Sequence, residues 1–225
     1  MFSNLKEENE TVTQENARSI ALPKGWVPKT ELGKAVAEGR ITSMDQIIES
    51  GKKILEWQIY DVLLPDLKEE VIEVSSVQRM TGSGRKQAMR AVILIGNSNG
   101  FVGVGVGRGP ETRDAIAKAI IDGKKHLIKV RLGCGSWEDS SSEPHSIPEQ
   151  AIGGAGSAQL TLKPAPRGVG LVAGSVVKLV LSLAGVKDVW TFTKGRTRNK
   201  LNMARATVNA LDSLNTKKSS KRLFE

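Results

Sequence analysis

The chain has 225 residues, 39% of them hydrophobic, which is enough apolar content for one large domain or two small ones. No apolar run approaches the roughly 20 residues that a membrane span requires, and the first residues lack a signal peptide's apolar core, so we expect a cytoplasmic protein that stays out of membranes. The single cysteine excludes an internal disulfide and a thiolate-rich zinc site, and the 4% aromatic content excludes base stacking as the main means of binding RNA.

The formal net charge of +9 is distributed unevenly along the chain. Residues 1–74 hold 9 Lys and Arg against 14 Asp and Glu, residues 75–133 hold 11 against 3, and residues 134–225 hold 13 against 7. An acidic first third followed by two basic regions is typical of a nucleic-acid-binding protein whose N-terminal part faces another protein. The alternative is surface charge that serves only solubility, which the asymmetry disfavours.

The N-terminal part of the chain predicts a tail followed by a helical extension. Residues 1–21 are polar and acidic with little periodicity, which predicts a tail that is disordered or ordered by a partner. Residues 22–66 contain short amphipathic segments separated by Pro and Gly, and Ser43–Gln46 has the spacing of a capping box. Helices this short rarely stand alone, so we expect Trp26 and Trp57 to anchor them to the rest of the chain or to a neighbour.

A first domain at residues 67–133 is predicted to contain a three-stranded meander and a helix. Strands are indicated at Val71–Met80 and Met89–Gly96, joined by a basic turn whose glycines permit a tight reversal. The third strand, Phe101–Gly107, alternates glycine with valine, so one face is bare backbone that suits either close packing or a phosphate chain. A helix is predicted at Pro110–Leu127, with the proline in its first turn.

The second half of the chain predicts a smaller domain. A short strand at Lys129–Leu132 precedes a glycine-, serine- and proline-rich connector at 134–148, a β-α-β-α domain at 149–214 and a basic tail at 215–225. Within the second domain, the predicted elements are a strand at Ala158–Leu162, a helix from a Ser175 cap to Ala184, a strand at Asp188–Thr193 and a helix at Asn199–Leu214.

The glycine-rich segments lack the spacing of a nucleotide-binding loop. Counted from Gly103, the third glycine of a G-x-G-x-x-G motif falls on Arg108, and no G-K-[ST] follows a glycine-rich segment. The segment Gly153–Ser157 resembles the phosphate loop of small-molecule kinases that share this kind of second domain, but an adjoining helix start and a magnesium carboxylate are missing. We therefore favour a structural role for these glycines.

The two histidines and the cysteine do not form a recognisable catalytic or metal motif. His126 lies at a predicted helix end, where a contact with the helix dipole or with RNA is favoured. Cys134 and His145 lie in one polar loop, but a pair at this spacing is too weak a pattern to predict a nucleophile. The sequence therefore predicts no catalytic residue, no cofactor and no metal.

Basic residues that flank glycines or lie on predicted surfaces are the candidate RNA-binding residues. Three strands packed on a basic helix match the layout of double-stranded-RNA-binding domains, which recognise shape and phosphates more than bases. A solvated hairpin is the alternative for the turn. The candidates are Arg79, Thr81, Gly82, Ser83, Gly84, Arg85, Lys86, Arg90, Arg108, Arg113, Lys124, Lys125, Lys163, Arg167, Lys194, Arg196 and Arg198.

Six separated motifs occur in the order of one known family. The motifs are Trp26-Val-Pro-Lys-Thr-Glu-Leu-Gly33, Gln78-Arg-Met-Thr81, Gly84-Arg-Lys86, Ile95-Gly-Asn-Ser-Asn-Gly-Phe-Val-Gly-Val-Gly105, Pro144-His-Ser-Ile-Pro148 and Lys163-Pro-Ala-Pro-Arg-Gly-Val-Gly170. By these motifs the chain resembles, over roughly residues 22–214, the universal family of small-ribosomal-subunit protein five, called protein two in eukaryotes, in its archaeal and eukaryotic form. The resemblance implies an α+β protein with a double-stranded-RNA-binding-like first domain and a β-α-β-α second domain.

The resemblance further implies a non-enzymatic protein of a ribonucleoprotein that acts in translation. In relatives, the hairpin tip that matches Thr81–Lys86 reaches the neck of the small subunit, and the cations around it would clamp phosphates of ribosomal RNA. The second domain of relatives meets small-subunit proteins four and eight. With proteins three and four, the family lines the channel through which messenger RNA enters, and it influences decoding accuracy. The implied partners are small-subunit ribosomal RNA, messenger RNA and small-subunit proteins two, three, four and eight.

One departure from the family concerns metal binding. Many archaeal relatives carry several cysteines in the loop after the position of Cys134, a pattern compatible with a metal. The segment Trp137–Ser142 contains none in this chain. The resemblance therefore gives no reason to expect a metal here.

Two alternatives to a ribosomal function stay open at this point. One is a kinase-like phosphotransferase with an RNA-binding appendage, which would bind ATP with magnesium. The other is a free regulator that binds double-stranded RNA, which would be a stable monomer outside ribosomes.

Overall fold

The computed structural model describes residues 26–52, 54–139 and 143–216. The chain divides into two compact units, Met1–Pro65 and Asp66–Glu225. The predicted tail at residues 1–21 lies outside the described residues, as does nearly all of the predicted C-terminal tail. Within the described ranges, no helix is both long and apolar enough to cross a membrane.

Three short helices form the described part of the first unit: α1 (Glu31–Ala37), α2 (Met44–Ser50) and α3 (Gln58–Leu63). The hydroxyl of Thr30 caps α1 by accepting a hydrogen bond from the backbone N–H of Gly33 at 3.0 Å. The predicted capping box of α2 is not formed, because Ser43 makes no side-chain cap bond and Gln46 Oε1 accepts from the backbone N–H of Thr42, one residue before the cap, at 3.3 Å.

Glu56 joins the start of this unit to its third helix. Its Oε1 accepts from the backbone N–H of Lys29 at 2.9 Å and of Thr30 at 2.6 Å, and its Oε2 accepts from Trp26 Nε1 at 2.8 Å. Desolvation by burial acts to raise the pKa of Glu56, but these hydrogen bonds outweigh it and hold the pKa below its ordinary value. Trp26 thus contacts a carboxylate of its own unit, and the predicted anchoring of these helices to the rest of the chain or to a neighbour stays a prediction.

The second unit begins with an antiparallel meander, as predicted. Its sheet has the order β1-β2-β3-β4, and helix α4 follows the third strand. The first three strands are longer than predicted, the fourth is shorter than the predicted Lys129–Leu132, and α4 begins after Pro110 instead of including it. The elements are β1 (Lys68–Thr81), β2 (Gly84–Gly96), β3 (Phe101–Gly109), α4 (Thr112–Lys125) and β4 (Ile128–Lys129).

The glycines of β3 face α4, so their bare backbone is covered by a helix and is not open to a phosphate chain. A Cβ built on Gly105 would collide with the backbone at Ala119 and Gly123 of α4, and one built on Gly107 would collide with Ala115 and Ala119. Helix α4 also has small residues where it contacts the sheet: Ala115 and Ala119 are fully buried against β2 and β3. Of the two roles considered for this strand, close packing is the one found.

A second four-stranded sheet occupies the rest of this unit, with the order β5-β6-β8-β7 and one parallel pair, β7 with β8. The strand β5 was not predicted as a strand, because its glycine-rich sequence has low strand propensity. The strand β5 forms because Gly153 has no side chain and so lets the backbone of α6 pack closely on it. A Cβ at position 153 would collide with the backbone of Ala206 and Ala210. The elements are β5 (Ala151–Ala155), β6 (Ala158–Pro164), β7 (Leu171–Val172), α5 (Ser175–Ala184), β8 (Val189–Lys194) and α6 (Lys200–Thr216).

Of two local interpretations of the second half, one agrees with the structure and one is corrected. The structural role favoured for Gly153–Ser157 is the one found, since the segment is the β5–β6 hairpin, with Gly153 packed on α6 and the turn at Gly156 and Ser157. Ser175 is the first residue of α5 and not its cap; Gly174 takes the cap position, and no side-chain bond is made there. Gly185 ends α5 as predicted, in the left-handed conformation with φ 87°.

The second unit stacks as four layers: α4, the first sheet, helices α5 and α6, and the second sheet. The central strand β2 is buried on both faces of the first sheet, with Ile93 and Ile95 toward α4 and Val92 and Leu94 toward α5 and α6. One continuous core joins side chains of both sheets and both middle helices. The α+β fold class is therefore confirmed.

Candidate RNA-binding surface

The basic turn is the end of a two-stranded ribbon that extends beyond the first sheet. Strand β3 pairs with β2 only from Met89 onward, so the part of the hairpin between Val77 and Ala88 has no third strand. At about 3.3 Å per residue, this ribbon projects roughly 15 Å. Thr81 Oγ1 donates to the carbonyl oxygen of Gly84 at 2.7 Å, and Gly84 has a φ of 120°, which favours glycine. The tip residues Thr81–Lys86 are all exposed.

The strand register divides the cations of the ribbon between its two faces. Arg79 lies opposite Lys86, and Arg90 lies opposite Arg108 on the other neighbouring strand. Side chains alternate along β2, so Lys86 and Arg90 share the face on which α5 and α6 pack. Arg85 falls on the opposite face. The ribbon thus presents cations on both sides, which a clamp between two phosphate strands requires.

Three of the predicted residues meet in a cleft of about 390 Å³ between β2 and the loop that precedes α6. Arg90 contributes from the strand, and Arg196 and Arg198 contribute from the loop. Lys200, at the start of α6, adds a fourth cation, and Glu73 is the one acid in the lining of this cleft. Such an excess of cations in a concave surface favours a bound anion. We call this the basic cleft.

Of the residues in the basic cleft, Arg90 gives the strongest indication that the cleft binds an anion. It is half-buried, and among the described residues its Nε is a buried donor with no hydrogen-bond partner. It also lies directly opposite Arg108 in the β2–β3 register, and like charges in this position repel each other. An unpaired buried donor costs about 1–3 kcal/mol. A phosphate oxygen in the cleft would satisfy the donor and relieve the repulsion.

The other candidate residues lie outside the basic cleft. Arg113 and Lys125 are exposed near the two ends of α4. Lys163 Nζ lies 4.9 Å from the ring centre of the exposed Phe192, and Arg167 Nη1 lies 3.5 Å from Glu143 Oε2 in an exposed ion pair. Lys194 is exposed at the end of β8.

Lys124 differs from the prediction that placed it on the outer face of the helix. Only 11% of its side chain is exposed, and its Nζ lies 4.0 Å from Glu69 Oε1 of β1. The cause is a helix that sits unusually close to the glycine face of β3, which draws its last turn toward the sheet. Lys124 is therefore less available to RNA than Lys125 beside it.

Lys200 lines the cleft but is not among the candidate residues named from the sequence. Its position at the N-terminus of the 17-residue α6 adds the helix dipole to its own charge. The signal in the sequence was the spacing of Arg196, Arg198 and Lys200, alternate cations directly before a helix.

Comparison with known proteins identifies both halves of the second unit. The family model for ribosomal protein S5, N-terminal domain, matches residues 67–131, and the model for ribosomal protein S5, C-terminal domain, matches residues 153–223. The first match covers the meander and α4, and the second covers most of the second sheet with its two helices. The two matched segments exclude the loop that joins the halves.

Relatives from archaea are similar over most of the chain. Small ribosomal subunit protein uS5 of Methanoregula boonei is 54% identical over 190 residues, which is 84% of this chain and 93% of the relative. The proteins of the same name from Methanococcus maripaludis and Methanocaldococcus jannaschii are 55% and 54% identical, over 84% of this chain and 84% and 88% of their own lengths. The chain therefore belongs to the ribosomal protein S5 family, whose members are structural, RNA-binding constituents of the small ribosomal subunit and not enzymes.

Proposed function

We propose that this protein is a structural constituent of the small ribosomal subunit that holds ribosomal RNA with its β1–β2 ribbon and its basic cleft, and so works in translation in the cytoplasm. The observation that carries the proposal is the buried, unpaired Nε of Arg90 beside Arg196 and Arg198. A protein without an anionic partner gains nothing from this arrangement, which costs it stability. A phosphate backbone supplies the missing acceptor.

The finer placement follows from the resemblance and from the shape of the ribbon. A narrow, exposed, basic ribbon can enter between RNA helices that a globular surface cannot reach. We infer that its tip, Thr81–Lys86, lies at the neck between head and body, and that the protein helps to line the channel through which messenger RNA enters. By this inference it contributes to decoding accuracy beside small-subunit protein three.

The outer face of the second sheet carries exposed apolar side chains that suit a protein partner. This face is opposite α5 and α6, and Ile152, Val172 and Phe192 on it are 62%, 51% and 55% exposed. Ile152 and Phe192 both neighbour Thr161 in the strand register, so they form one row. Exposed apolar side chains on a sheet are typical of a protein interface. We infer that small-subunit proteins four and eight contact the second domain, and that protein two is a further neighbour.

Cosedimentation with small ribosomal subunits tests the proposal directly. In a sucrose gradient at moderate salt, the purified chain is expected to move with the small subunit. A free regulator of double-stranded RNA would stay at the top of the gradient instead, and that result would refute the ribosomal function.

The double substitution Arg85→Ala with Lys86→Ala tests the ribbon. If both side chains contact phosphates, the slope of log affinity for small-subunit ribosomal RNA against log salt concentration becomes shallower by about two units. Filter binding over a series of salt concentrations measures the slope. The matched control is Lys178→Ala with Lys187→Ala, two exposed lysines outside the candidate set, for which a smaller change is expected. An unchanged slope for the ribbon variant would remove the tip from the contact surface.

A further inference from the structure

The loop that connects the two halves of the second unit is closed at its base by backbone hydrogen bonds. Gly133 and Ser146 form an antiparallel bridge, in which the nitrogen of Gly133 lies 2.8 Å from the carbonyl oxygen of Ser146 and the nitrogen of Ser146 lies 2.9 Å from the carbonyl oxygen of Gly133. The backbone N–H of Gly135 donates to the carbonyl oxygen of Ile147 at 3.2 Å. These bonds bring the start and the end of the loop side by side, a contact that the spacing of residues along the sequence does not predict.

Three side chains with metal-binding donor atoms meet just above this base. The thiol of Cys134, a carboxylate oxygen of Asp139 and a ring nitrogen of His145 all lie within 4.8 Å of one another. The side chains of Asp139 and His145 are each only 6% exposed, and Asp139 Oδ2 contacts His145 Nε2. Cys134 is half-buried. Buried carboxylates are costly unless a cation or several donors compensate them.

A second carboxylate approaches the same histidine from its other side. Asp188 Oδ2 lies 3.0 Å from His145 Nδ1, and its side chain is 7% exposed. The contact is close but is not aligned as a hydrogen bond, so Nδ1 remains a buried polar atom without one. Two buried carboxylates thus contact one imidazole, one at each ring nitrogen. A divalent cation at Nε2 would suit this acidic environment, with Asp188 behind the ring, where carboxylates orient metal-bound histidines.

We propose that Cys134 Sγ, Asp139 Oδ and His145 Nε2 bind a Zn²⁺ ion. A set of one sulfur, one nitrogen and one oxygen donor suits Zn²⁺, whereas Mg²⁺ and Ca²⁺ prefer oxygen ligands alone. Water completes the four-coordinate shell. On binding, the thiol gives up its proton to solvent, and the hydrogen bond that Cys134 Sγ donates to the carbonyl oxygen of Glu143 at 2.9 Å is replaced by the sulfur–zinc bond. The hydrogen bond between His145 Nε2 and Asp139 Oδ2 breaks as well: its proton leaves to solvent, and both atoms bond to zinc instead.

The site would fix the connecting loop and also the segment that contains Arg167. The other oxygen of Asp188, Oδ1, accepts from the backbone N–H of Gly168 at 3.1 Å and of Gly170 at 2.7 Å. This glycine segment follows directly on Arg167, a candidate RNA-binding residue. The zinc, the imidazole and Asp188 therefore form one chain of contacts that fixes the connecting loop and the Arg167 segment together.

Titration of the full chain, freed of metal by a chelator, with Zn²⁺ alone tests the proposal. Calorimetry is expected to give one bound ion per chain, and Co²⁺ in place of Zn²⁺ is expected to give the absorption of a thiolate–cobalt bond. Cys134→Ser abolishes that absorption, and Cys134→Ser and Asp139→Asn each weaken Zn²⁺ binding at least tenfold. Asp188→Asn, behind the ring, weakens it by about 10–100-fold.

The matched control is His126→Gln, because the chain has only two histidines and His126 is exposed after α4. This variant is expected to bind Zn²⁺ like the unaltered chain, and circular dichroism establishes that each variant is folded. Zn²⁺ binding that survives Cys134→Ser and Asp139→Asn without loss would overturn the proposal. Failure of the folded, unaltered chain to bind Zn²⁺ would overturn it as well.

Discussion

Replacing Arg90 with Met is expected to weaken binding to small-subunit ribosomal RNA by about 10–100-fold while leaving the free protein as stable as before, or more stable. The affinity falls because a charged hydrogen bond to phosphate is worth about 1.5–3 kcal/mol. The stability does not fall, because the substitution removes a buried unpaired donor and the repulsion with Arg108 while Met keeps the packing of the side-chain stem. Filter binding and urea unfolding measure the two quantities.

The opposite signs of these two effects distinguish a binding role from a structural one. If Arg90 served the fold, Arg90→Met would lower the free energy of unfolding and leave the RNA affinity of the folded fraction unchanged. Arg131→Met is the matched control, because Arg131 is exposed and does not line the basic cleft. It is expected to change the salt slope by less than Arg90→Met, for which the slope becomes shallower by about one unit.

Gly105→Ala is expected to destabilise the fold strongly. The new Cβ would overlap backbone atoms of both Ala119 and Gly123 on α4, and backbone cannot turn aside as a flexible side chain can. Overpacking a core commonly costs about 1–3 kcal/mol, and a clash with helix backbone belongs at or above the top of that range. This is a large share of the roughly 5–15 kcal/mol that stabilises a typical protein.

Urea unfolding with a fixed slope measures this loss, and Gly154→Ala supplies the control. Gly154 also lies in a strand, but a Cβ there would come no closer than 3.7 Å to any neighbour, at the carbonyl oxygen of Ala158. That variant is expected to stay within about 0.5 kcal/mol of the parent. If Gly105→Ala cost less than about 1 kcal/mol, α4 would have to be loosely packed on the sheet.

Sequence patterns predicted the first half of the second unit well, because its elements are long and regular. The hairpin, the glycine–valine strand and the helix after it all lie where periodicity indicated, with boundaries shifted by a few residues. The predicted exposure of Lys124 is the error in this region. Helical periodicity places Lys124 on the solvent-facing side of the helix, but periodicity does not show how closely a strand faced with glycine lets a helix approach.

The missed features share a different cause, which is that they depend on tertiary contacts. The strand β5 has a sequence typical of a loop and becomes a strand only where α6 packs on Gly153. The group of Cys134, Asp139 and His145 forms only because a backbone bridge closes their loop. The basic cleft joins a strand and a loop that are about a hundred residues apart in sequence, so each basic segment was identified but their meeting was not.

The continuous core that joins the two sheets also fixes the distance between the two proposed RNA-binding places. Val92 and Leu94 of the first sheet share one core with Leu160 and Leu162 of the second, so the base of the ribbon and the basic cleft are held at one spacing. If both places bind RNA as proposed, we expect the RNA to adopt this spacing and to bear the entropy of ordering.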